Sequence, residues 1–532
     1  MKRRLVLISA AWLVGACGSD GGGGGSAAPG EFGGAGAMLP PDGNAGGASA
    51  GSSGTTNPDA PPLTIESITP ADEASDVELD AVIEVRFSAP LDPATATASN
   101  VVVQGPNGAI EGDLTVAGDV VRFAPAAPLP LLTPVRVSLS TALKSAEGRA
   151  LAAAVEAQFQ SRDGVFRDPV QINAGAASGL FLRGNDSGDL IATWTDLQVR
   201  SNVEGMVFDG DAGAWTTAQL IENDDQLAFT QPVAAVAPNG DSIVTWRGGG
   251  WARYSGSWAA ATIAQGVAFP NLALADAAAL SATNTMGNAS FQLLPSGASA
   301  WSEAQPLLMG GRVEAVDTLD GGFIAVGTRN GALVAGQLAE PTGAWSEFTS
   351  LAEMQQVDQL RLATRGDAAA VAWVDRREVP ATETQELSFV SRAATRVFAE
   401  DAWAPALELP EGADLPWVSV AEGGRALAVW TQVDAVSVSS FSADQGWTEP
   451  QQLAEQSQLV PAGAVDGNGN FMAVWPSNEQ IAVRRQASGG QWQALEAIDS
   501  QVTVALWSHV DGQGRVSLVW QNGNGIWWTR FE

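Results

Sequence analysis

Residues 163–532 repeat one pattern of apolar and polar positions. A turn leads into a short apolar run that ends in Trp, as in residues 426–430 (ALAVW) and 471–475 (FMAVW). A polar hairpin and a further apolar run follow, and a second Trp then precedes a polar tail. A period of roughly 45 residues with about four strands per unit is typical of a β-propeller. The pattern therefore predicts a propeller over residues 163–532.

Two series of positions count the propeller units. Six apolar runs end in Trp, and two further runs carry Asn284 and Gly327 at the equivalent place. Eight second strands are therefore expected. The outer-strand Trp occurs seven times, so one outer strand is missing. Residues 166–172 (FRDPVQI) share the pattern of residues 447–453 (WTEPQQL). We predict that this N-terminal strand closes a ring of eight blades, since closure pairs otherwise exposed edges. Seven blades, with the unit near 284 or 327 misread, is the alternative. The strand-ending Trp are Trp194, Trp246, Trp373, Trp430, Trp475 and Trp520. The outer Trp are Trp215, Trp258, Trp301, Trp345, Trp403, Trp447 and Trp492.

Within the units, small or aliphatic residues are expected in the inner strands, as in residues 233–237 (VAAVA), because such side chains let the strands crowd a central axis. Regular spacing of the Trp residues favours packing between neighbouring blades over a glycan-binding surface.

Residues 62–162 alternate with a period of two. Ile83, Val85 and Phe87 point one way, and Glu84 and Arg86 point the other. Short strands at this spacing over about 100 residues are typical of a β-sandwich. The chain is therefore predicted to be all-β, with a sandwich followed by a propeller.

The N-terminus has the features of a leader. A basic stretch and a short apolar run over residues 1–16 predict a signal peptide, because the run is too short to span a bilayer. Residues 17–61 are rich in Gly, Ser and Pro and predict a disordered tether.

Three resemblances add to this interpretation. Residues 14–17 (VGAC) resemble a bacterial lipobox, which implies cleavage before Cys17, its lipidation and a place in the outer membrane. Residues 87–92 (FSAPLD), 121–125 (VRFAP) and 159–161 (FQS) resemble the Ig-like domain of S-layer and surface proteins, which implies a spacer or adhesion module. The repeat units resemble sialidase-type bacterial surface propellers.

Composition limits the chemistry. The net charge of −32 argues against nucleic acid as a partner. Cys17 and His509 are the sole residues of their types, so the sequence predicts no metal site, no cofactor and no nucleophile–histidine arrangement. Tyr254 is interpreted as packing and not as a sialidase-like nucleophile, since no adjacent base is recognisable.

The hairpins after the second strands are predicted to form a candidate ligand rim. Arginines there are suited to clamping a carboxylate or sulfate, and solvated hairpin charge is the simpler interpretation. The long insertion at residues 378–400 lies in the same region. The rim residues are Arg247, Arg329, Asp375, Arg376 and Arg377.

Three functions follow as hypotheses. The first is a lipid-anchored binding, adhesion or scaffold protein of the bacterial envelope, surface-exposed or periplasmic, whose partners are the bilayer through acylated Cys17 and a glycan or protein ligand. The second is a sialidase-like hydrolase or lyase of extracellular glycans. The third is a structural envelope protein. The sequence does not determine the ligand or the oligomeric state.

Overall fold

The computed structural model describes residues 61–106, 108–196, 202–222, 232–246, 249–263, 271–379, 388–432, 435–455, 460–477, 480–499 and 503–532. One compact unit consists of the described residues up to Leu129 together with Thr133–Arg162. The other consists of Pro130–Leu132 and Asp163–Glu532. The predicted signal peptide, Cys17 and the tether up to residue 60 lie outside the described residues. Within the described part, no helix is long and apolar enough to cross a membrane.

The first unit is an Ig-like sandwich of two sheets. The alternation read from the sequence places Ile83, Val85 and Phe87 in its core, each at most 2% exposed. A short 3₁₀ helix, Pro93–Thr95, is capped by the side chain of Asp92. In spatial order, the sheets are Ile65–Thr69, Ile83–Phe87, Val120–Pro125 and Gly112–Ala117; and Ala74–Val77, Val155–Ser161, Pro134–Leu139, Val101–Gly105 and Gly108–Ala109.

The second unit contains eight antiparallel sheets in its described residues, here numbered from the N-terminus, with strands given from the first (inner) outwards. Sheets 1 to 4 are Ala177–Gly184, Leu190–Asp196, Asn202–Asp209, Ala214–Trp215 with Gln219–Glu222; Val233–Val236, Ser242–Trp246, Gly250–Tyr254, Thr262–Ile263; Asn271–Leu274, Ala278–Thr285, Asn288–Pro295, Gln305–Leu308; and Gly311–Leu319, Gly322–Arg329, Ala332–Leu338, Thr349–Glu353.

Sheets 5 to 8 follow the same plan. Their strands are Val357–Arg365, Ala368–Val379, Ser388–Ala399, Ala402–Trp403 with Leu407–Glu408; Ala413–Val420, Ala426–Gln432, Ala435–Ser442, Gly446–Trp447 with Gln451–Ala454; Ala462–Val465, Phe471–Ser477, Gln480–Gln486, Glu496–Asp499; and Thr503–Val510, Val516–Asn522, Gly525–Phe531, Val170–Asn173. A 3₁₀ turn, Glu422–Gly424, precedes the second strand of sheet 6.

The N-terminal strand closes the propeller as predicted. Val170 and Gln171 pair with Trp528 and Trp527, so Val170–Asn173 is the outer strand of sheet 8. Each first strand contacts the first strands of the neighbouring sheets, and that of sheet 8 contacts that of sheet 1. The ring therefore has eight blades, and both units near 284 and 327 are genuine blades.

The Trp residues pack between blades. The strand-ending Trp are almost fully buried, for example Trp194 and Trp430 at 0% exposure. The outer Trp are half-buried, and Trp215, Trp301 and Trp345 contact aromatic residues of a neighbouring sheet. Between ring centroids, Trp215 lies 6.0 Å from Trp528, Trp301 lies 6.1 Å from Trp251, and Trp345 lies 5.7 Å from Phe291. Because these three indoles bridge two sheets, they stabilise the ring.

The expectation that inner strands carry small or aliphatic residues is wrong for several sheets. Phe181, Trp417 and Trp507 lie on the first strands of sheets 1, 6 and 8, and all three are buried. A ring of eight sheets leaves room at its centre, and large side chains fill that room so that the interior stays close-packed.

Candidate functional site

An open cleft of about 540 Å³ lies on the face of the propeller that carries the hairpins after the second strands. Gly287 and residues 329–331 come from such hairpins in sheets 3 and 4, and the other walls come from segments that enter the first strands of sheets 4 and 5. We call this the hairpin-face cleft. Its lining consists of Gly287, residues 310–312, Glu314, residues 328–332 and residues 354–357.

The cleft opens beside the two blades that lack the strand-ending Trp. The amide of Asn284 instead makes two 2.8 Å hydrogen bonds to the backbone of Val313. At Gly327, the carbonyl of Arg312 occupies the space that a Cβ atom would take. The first strand of sheet 4 lies close to the second strand at Gly327 and carries a register shift between Val313 and Ala315. The start of this strand supplies Arg312 and Glu314 to the cleft.

Glu314 is the one carboxylate among the described residues that line the cleft. Thr328 Oγ1 donates a hydrogen bond to Glu314 Oε1 over 3.4 Å, and Arg312 Nε lies 3.8 Å from the same oxygen. Burial raises the pKa of Glu314, whereas Arg312 and Thr328 act in the opposite direction. The side chain of Arg312 remains 66% exposed. This wall therefore offers a carboxylate acceptor and an accessible guanidinium side by side.

Arg329 provides a second cation. Its guanidinium carbon lies 6.0 Å from the ring centroid of Phe348, and no described carboxylate forms an ion pair with it. A guanidinium held over an aromatic face keeps its in-plane N–H donors available for a ligand. Arg329 is the predicted rim residue that lines the cleft.

The opposite wall, Gln355 and Gln356, is braced by Asp375. Both backbone N–H groups donate to Asp375 Oδ1, over 2.9 and 3.1 Å, and Arg377 Nε donates to Asp375 Oδ2 over 2.5 Å. The backbone N–H of Arg376 donates to the carbonyl of Gln356 over 2.8 Å. Asp375 is only 2% exposed. These residues position the wall, and the carboxylate of Asp375 is occupied by protein donors.

The rim predicted from the sequence thus divides into different roles. Arg329 faces the cleft, Asp375 and Arg377 support its wall, and Arg247 lies outside the described residues. Whether these residues bind a ligand stays a prediction. Sequence reasoning missed Arg312, Glu314, Gln355 and Gln356. The loss of Trp at positions 284 and 327 was a signal for the strand that carries Arg312 and Glu314, and no signal marked the two glutamines.

Aromatic and arginine side chains cross the centre of the ring. The guanidinium of Arg361, from sheet 5, lies 4.2 Å from the ring centroid of Trp417 and 5.2 Å from that of Trp507. Trp507 lies 5.9 Å from Trp417 and 5.1 Å from Phe181. Sheets 5 and 8 are not neighbours, so these contacts pass through the axis.

Two further arginines pair across the same centre. Arg183 Nη1 in sheet 1 lies 3.8 Å from Asp317 Oδ2 in sheet 4. Arg365 in sheet 5 donates to the carbonyl of Val510 over 3.0 Å and pairs with Asp186. Burial raises the pKa of Asp317, and Arg183 opposes that effect. We call Phe181, Arg183, Asp317, Arg361, Arg365, Trp417 and Trp507 the axial cluster.

His509 is buried between sheets 8 and 1. Its Nε2 lies 3.0 Å from the carbonyl oxygen of Asn185. Burial lowers the pKa of His509 to about 4; the contact with Asn185 acts in the opposite direction, as do Asp511 and Asp186, while Arg365 lowers it further. A neutral imidazole packed in this way is a structural group. The described residues contain no group of three or more His, Cys, Asp or Glu placed to hold a metal ion.

Comparison with known proteins identifies the fold of the first unit and gives structures similar to the chain as a whole. Residues 59–161 match the family model of the bacterial Ig-like domain. The propeller of Dos1 is similar with a TM-score of 0.47 and 7% identity, over 69% of this chain and 95% of that chain. An ulvan lyase from a family of polysaccharide lyases gives a TM-score of 0.37 and 9% identity, over 69% of this chain and 93% of that chain. The NanB sialidase from Streptococcus pneumoniae gives a TM-score of 0.30 and 10% identity, over 85% and 84% of the two chains. Among curated protein sequences, none matches this chain.

Proposed function

We propose that this chain is a lipid-anchored protein of the bacterial envelope that uses the hairpin face of its propeller to bind an extracellular glycan or protein. The observation that carries this proposal is the hairpin-face cleft: an open, polar cavity of about 540 Å³ with an arginine that no described carboxylate neutralises. Cavities of this size with a few convergent polar groups are typical ligand sites.

The other components fit this role. The Ig-like unit serves as a spacer, and acylation of Cys17 attaches the chain to the bilayer. The axial cluster fills the centre of the ring with protein side chains, so the hairpin-face cleft is the accessible polar cavity of the propeller that we assign to the ligand.

Binding is favoured over glycoside hydrolysis by the composition of the cleft. A pair of carboxylates about 5–10 Å apart is the usual requirement for that reaction. Glu314 is the one carboxylate among the residues that line the cleft, and Asp375 behind it is engaged with Arg377 and two backbone amides. The described part of the cleft is therefore equipped to hold a ligand and shows no second free carboxylate in its lining.

Two experiments test the proposal with the full-length chain. The first compares the wild type with Cys17→Ser in cell fractions and by incorporation of labelled palmitate. We expect the wild type in the membrane with label and the variant unlabelled and released. A Cys17→Ser chain that still fractionates with membrane and carries label contradicts the anchor.

The second experiment presents the released Cys17→Ser protein to a glycan array and to envelope and host-surface protein extracts. We expect retention of one ligand class, reduced by substitutions in the hairpin-face cleft and unaffected by Arg122→Gln in the Ig-like unit. An absence of binding, with a loss of envelope integrity when the gene is deleted, supports the structural-protein hypothesis instead. Turnover of an arrayed glycan supports the hydrolase or lyase hypothesis.

A further inference from the structure

We propose that the hairpin-face cleft binds an acidic saccharide, a sugar chain that carries carboxylate groups, with the carboxylate on Arg329 and Arg312 and the sugar hydroxyls on Glu314, Gln355 and Gln356. This inference rests on the binding function proposed above and specifies its ligand.

The charges of the lining favour an anion at one point. The chain carries a net charge of −32, yet the cleft lining has two arginines and one glutamate. Glu314 accepts from Thr328 and lies 3.8 Å from Arg312, whereas Arg329 has no ion-pair partner among the described residues. A local excess of positive charge on an otherwise acidic protein offers an anionic ligand group a favourable point of contact.

The geometry of Arg329 selects a carboxylate. A guanidinium presents parallel N–H donors in a planar fork that matches a carboxylate with two hydrogen bonds. The ring of Phe348, 6.0 Å from the guanidinium carbon, supports one face of the group. The edge of the Arg329 guanidinium is therefore the part that binds the ligand. Because the ring already restricts this side chain, it loses less orientational freedom when the ligand binds.

The remaining lining fits hydroxyl groups. Glu314 has acceptor capacity beyond its bond from Thr328, and the amide of Gln356 carries both donors and an acceptor. Gln355 offers its amide donors, since its Oε1 accepts from the backbone N–H of Glu378 over 2.9 Å. The wall that holds these two residues is fixed in place by Asp375, because its carboxylate accepts both backbone N–H groups. Pre-positioned polar groups of both kinds are suited to a polyhydroxylated ligand.

A peptide ligand fits the cleft less well. Peptides are held through apolar anchors in pockets or through a free strand edge. Met354, the largest apolar side chain of the lining, is only 6% exposed. The glycines at positions 287, 310, 311 and 331 add no side chains to the walls. The described lining therefore offers no large exposed apolar side chain that could anchor a peptide.

The test uses the full-length Cys17→Ser chain and isothermal titration with four probes: an oligouronate, the same oligosaccharide with its carboxyls reduced to alcohols, a sulfated oligosaccharide of equal length, and an acidic peptide. Arg329→Gln and Arg312→Gln are the site variants. Arg122→Gln is the matched control, since it removes the same charge from an exposed ion pair with Glu84 in the Ig-like unit.

We expect the oligouronate to bind, its reduced form to bind at least tenfold more weakly, and Arg329→Gln to weaken binding by roughly tenfold to a hundredfold, the value of a charge-assisted hydrogen bond. Arg122→Gln should bind as the wild type. Unfolding curves of the variants confirm that each remains folded.

The other outcomes separate the two proposals. Equal binding of the reduced oligosaccharide, tighter binding of the sulfated probe, or preference for the peptide overturns the acidic-saccharide assignment and leaves the binding function standing. Oligouronate binding that Arg329→Gln and Arg312→Gln do not change overturns the assignment of the cleft. If no probe and no array ligand binds, both proposals fail.

Discussion

Arginines occupy two regions of this propeller in opposite ways. In the axial cluster, the side chains of Arg183 and Arg365 are 7% and 8% exposed and reach across the ring to protein partners. In the hairpin-face cleft, the side chain of Arg312 is 66% exposed, and Arg329 forms no ion pair with a described carboxylate. The residue type is the same. The depth of an arginine in the ring therefore separates those that are buried against protein partners from those that stay accessible to a ligand.

The physical basis of this difference is desolvation. A buried guanidinium loses its contacts with water, and carboxylates, carbonyls or aromatic faces must replace them. Removal of the guanidinium therefore leaves these partner groups uncompensated. An exposed guanidinium keeps its water, so its removal costs little in folding free energy. Stability measurements therefore distinguish the two regions without any knowledge of the ligand.

The largest effect is expected at the centre of the axial cluster. Trp507→Ala removes a side chain that contacts Phe181, Trp417 and Arg361, and we expect it to lower the free energy of unfolding by about 3–5 kcal/mol. Urea unfolding followed by fluorescence measures the change. Leu495→Ala, at a position that is 55% exposed, is the control and should change little. A small loss for Trp507→Ala contradicts a close-packed axis.

The second prediction concerns the buried pair of Arg183 and Asp317. Arg183→Met leaves the carboxylate of Asp317 without its cation, and we expect a loss of about 3 kcal/mol at neutral pH. Because burial already raises the pKa of Asp317, protonation of the folded variant should reduce this loss as the pH falls. The double variant Arg183→Met/Asp317→Leu should be more stable than Arg183→Met alone. If it is equally unstable, the pair is not energetically coupled.

The third prediction is a pH dependence from His509. Its pKa is about 4 in the folded protein and 6.5 ordinarily, so the unfolded chain binds a proton first as the pH falls. Stability is therefore unaffected above pH 6.5, decreases between 6.5 and 4, and is lower by roughly 2 kcal/mol at pH 5. Other acids also titrate here, so the comparison with His509→Gln isolates the imidazole. Parallel pH profiles for the two proteins rule out this assignment.

The smallest effect is expected in the hairpin-face cleft. Arg329→Gln and Arg312→Gln should change the free energy of unfolding by less than about 0.5 kcal/mol, because neither guanidinium is fully buried. The same urea experiment measures both. A loss above about 2 kcal/mol for Arg329→Gln would place it with the axial arginines and remove the basis for assigning it to a ligand.

Much of the fold could be predicted from the sequence because it depends on local periodicity. The alternation over Ile83, Val85 and Phe87 predicted the sandwich, and the recurrence of Trp predicted the blades. Even the closing strand at Val170–Asn173 was recognisable, since residues 166–172 repeat the pattern of a known outer strand. Each of these signals spans a few residues and reports which side chains face a core.

The candidate site was only partly predictable. Arg329 was chosen for its hairpin position, but Asp375 and Arg377 were grouped with it although they brace the wall behind the cleft. Gln355 and Gln356 gave no signal, because neutral amides near a strand start are common on any surface. Their role depends on a hydrogen-bonded carboxylate about 20 residues further along the chain.

The amino-acid sequence alone predicted the closing strand and the positions of the indoles, since both follow from a repeat in which neighbours in sequence are neighbours in space. The sheet pairing of the closed ring decided between eight blades and seven. The tertiary structure decided what fills the axis and where the cleft opens. Arg361 meets Trp507 from a blade that is not its neighbour, and Gly327 admits the backbone of Arg312 only when two strands pair. Such contacts join residues that no local pattern connects, so burial and charge at these positions are set by the closed ring.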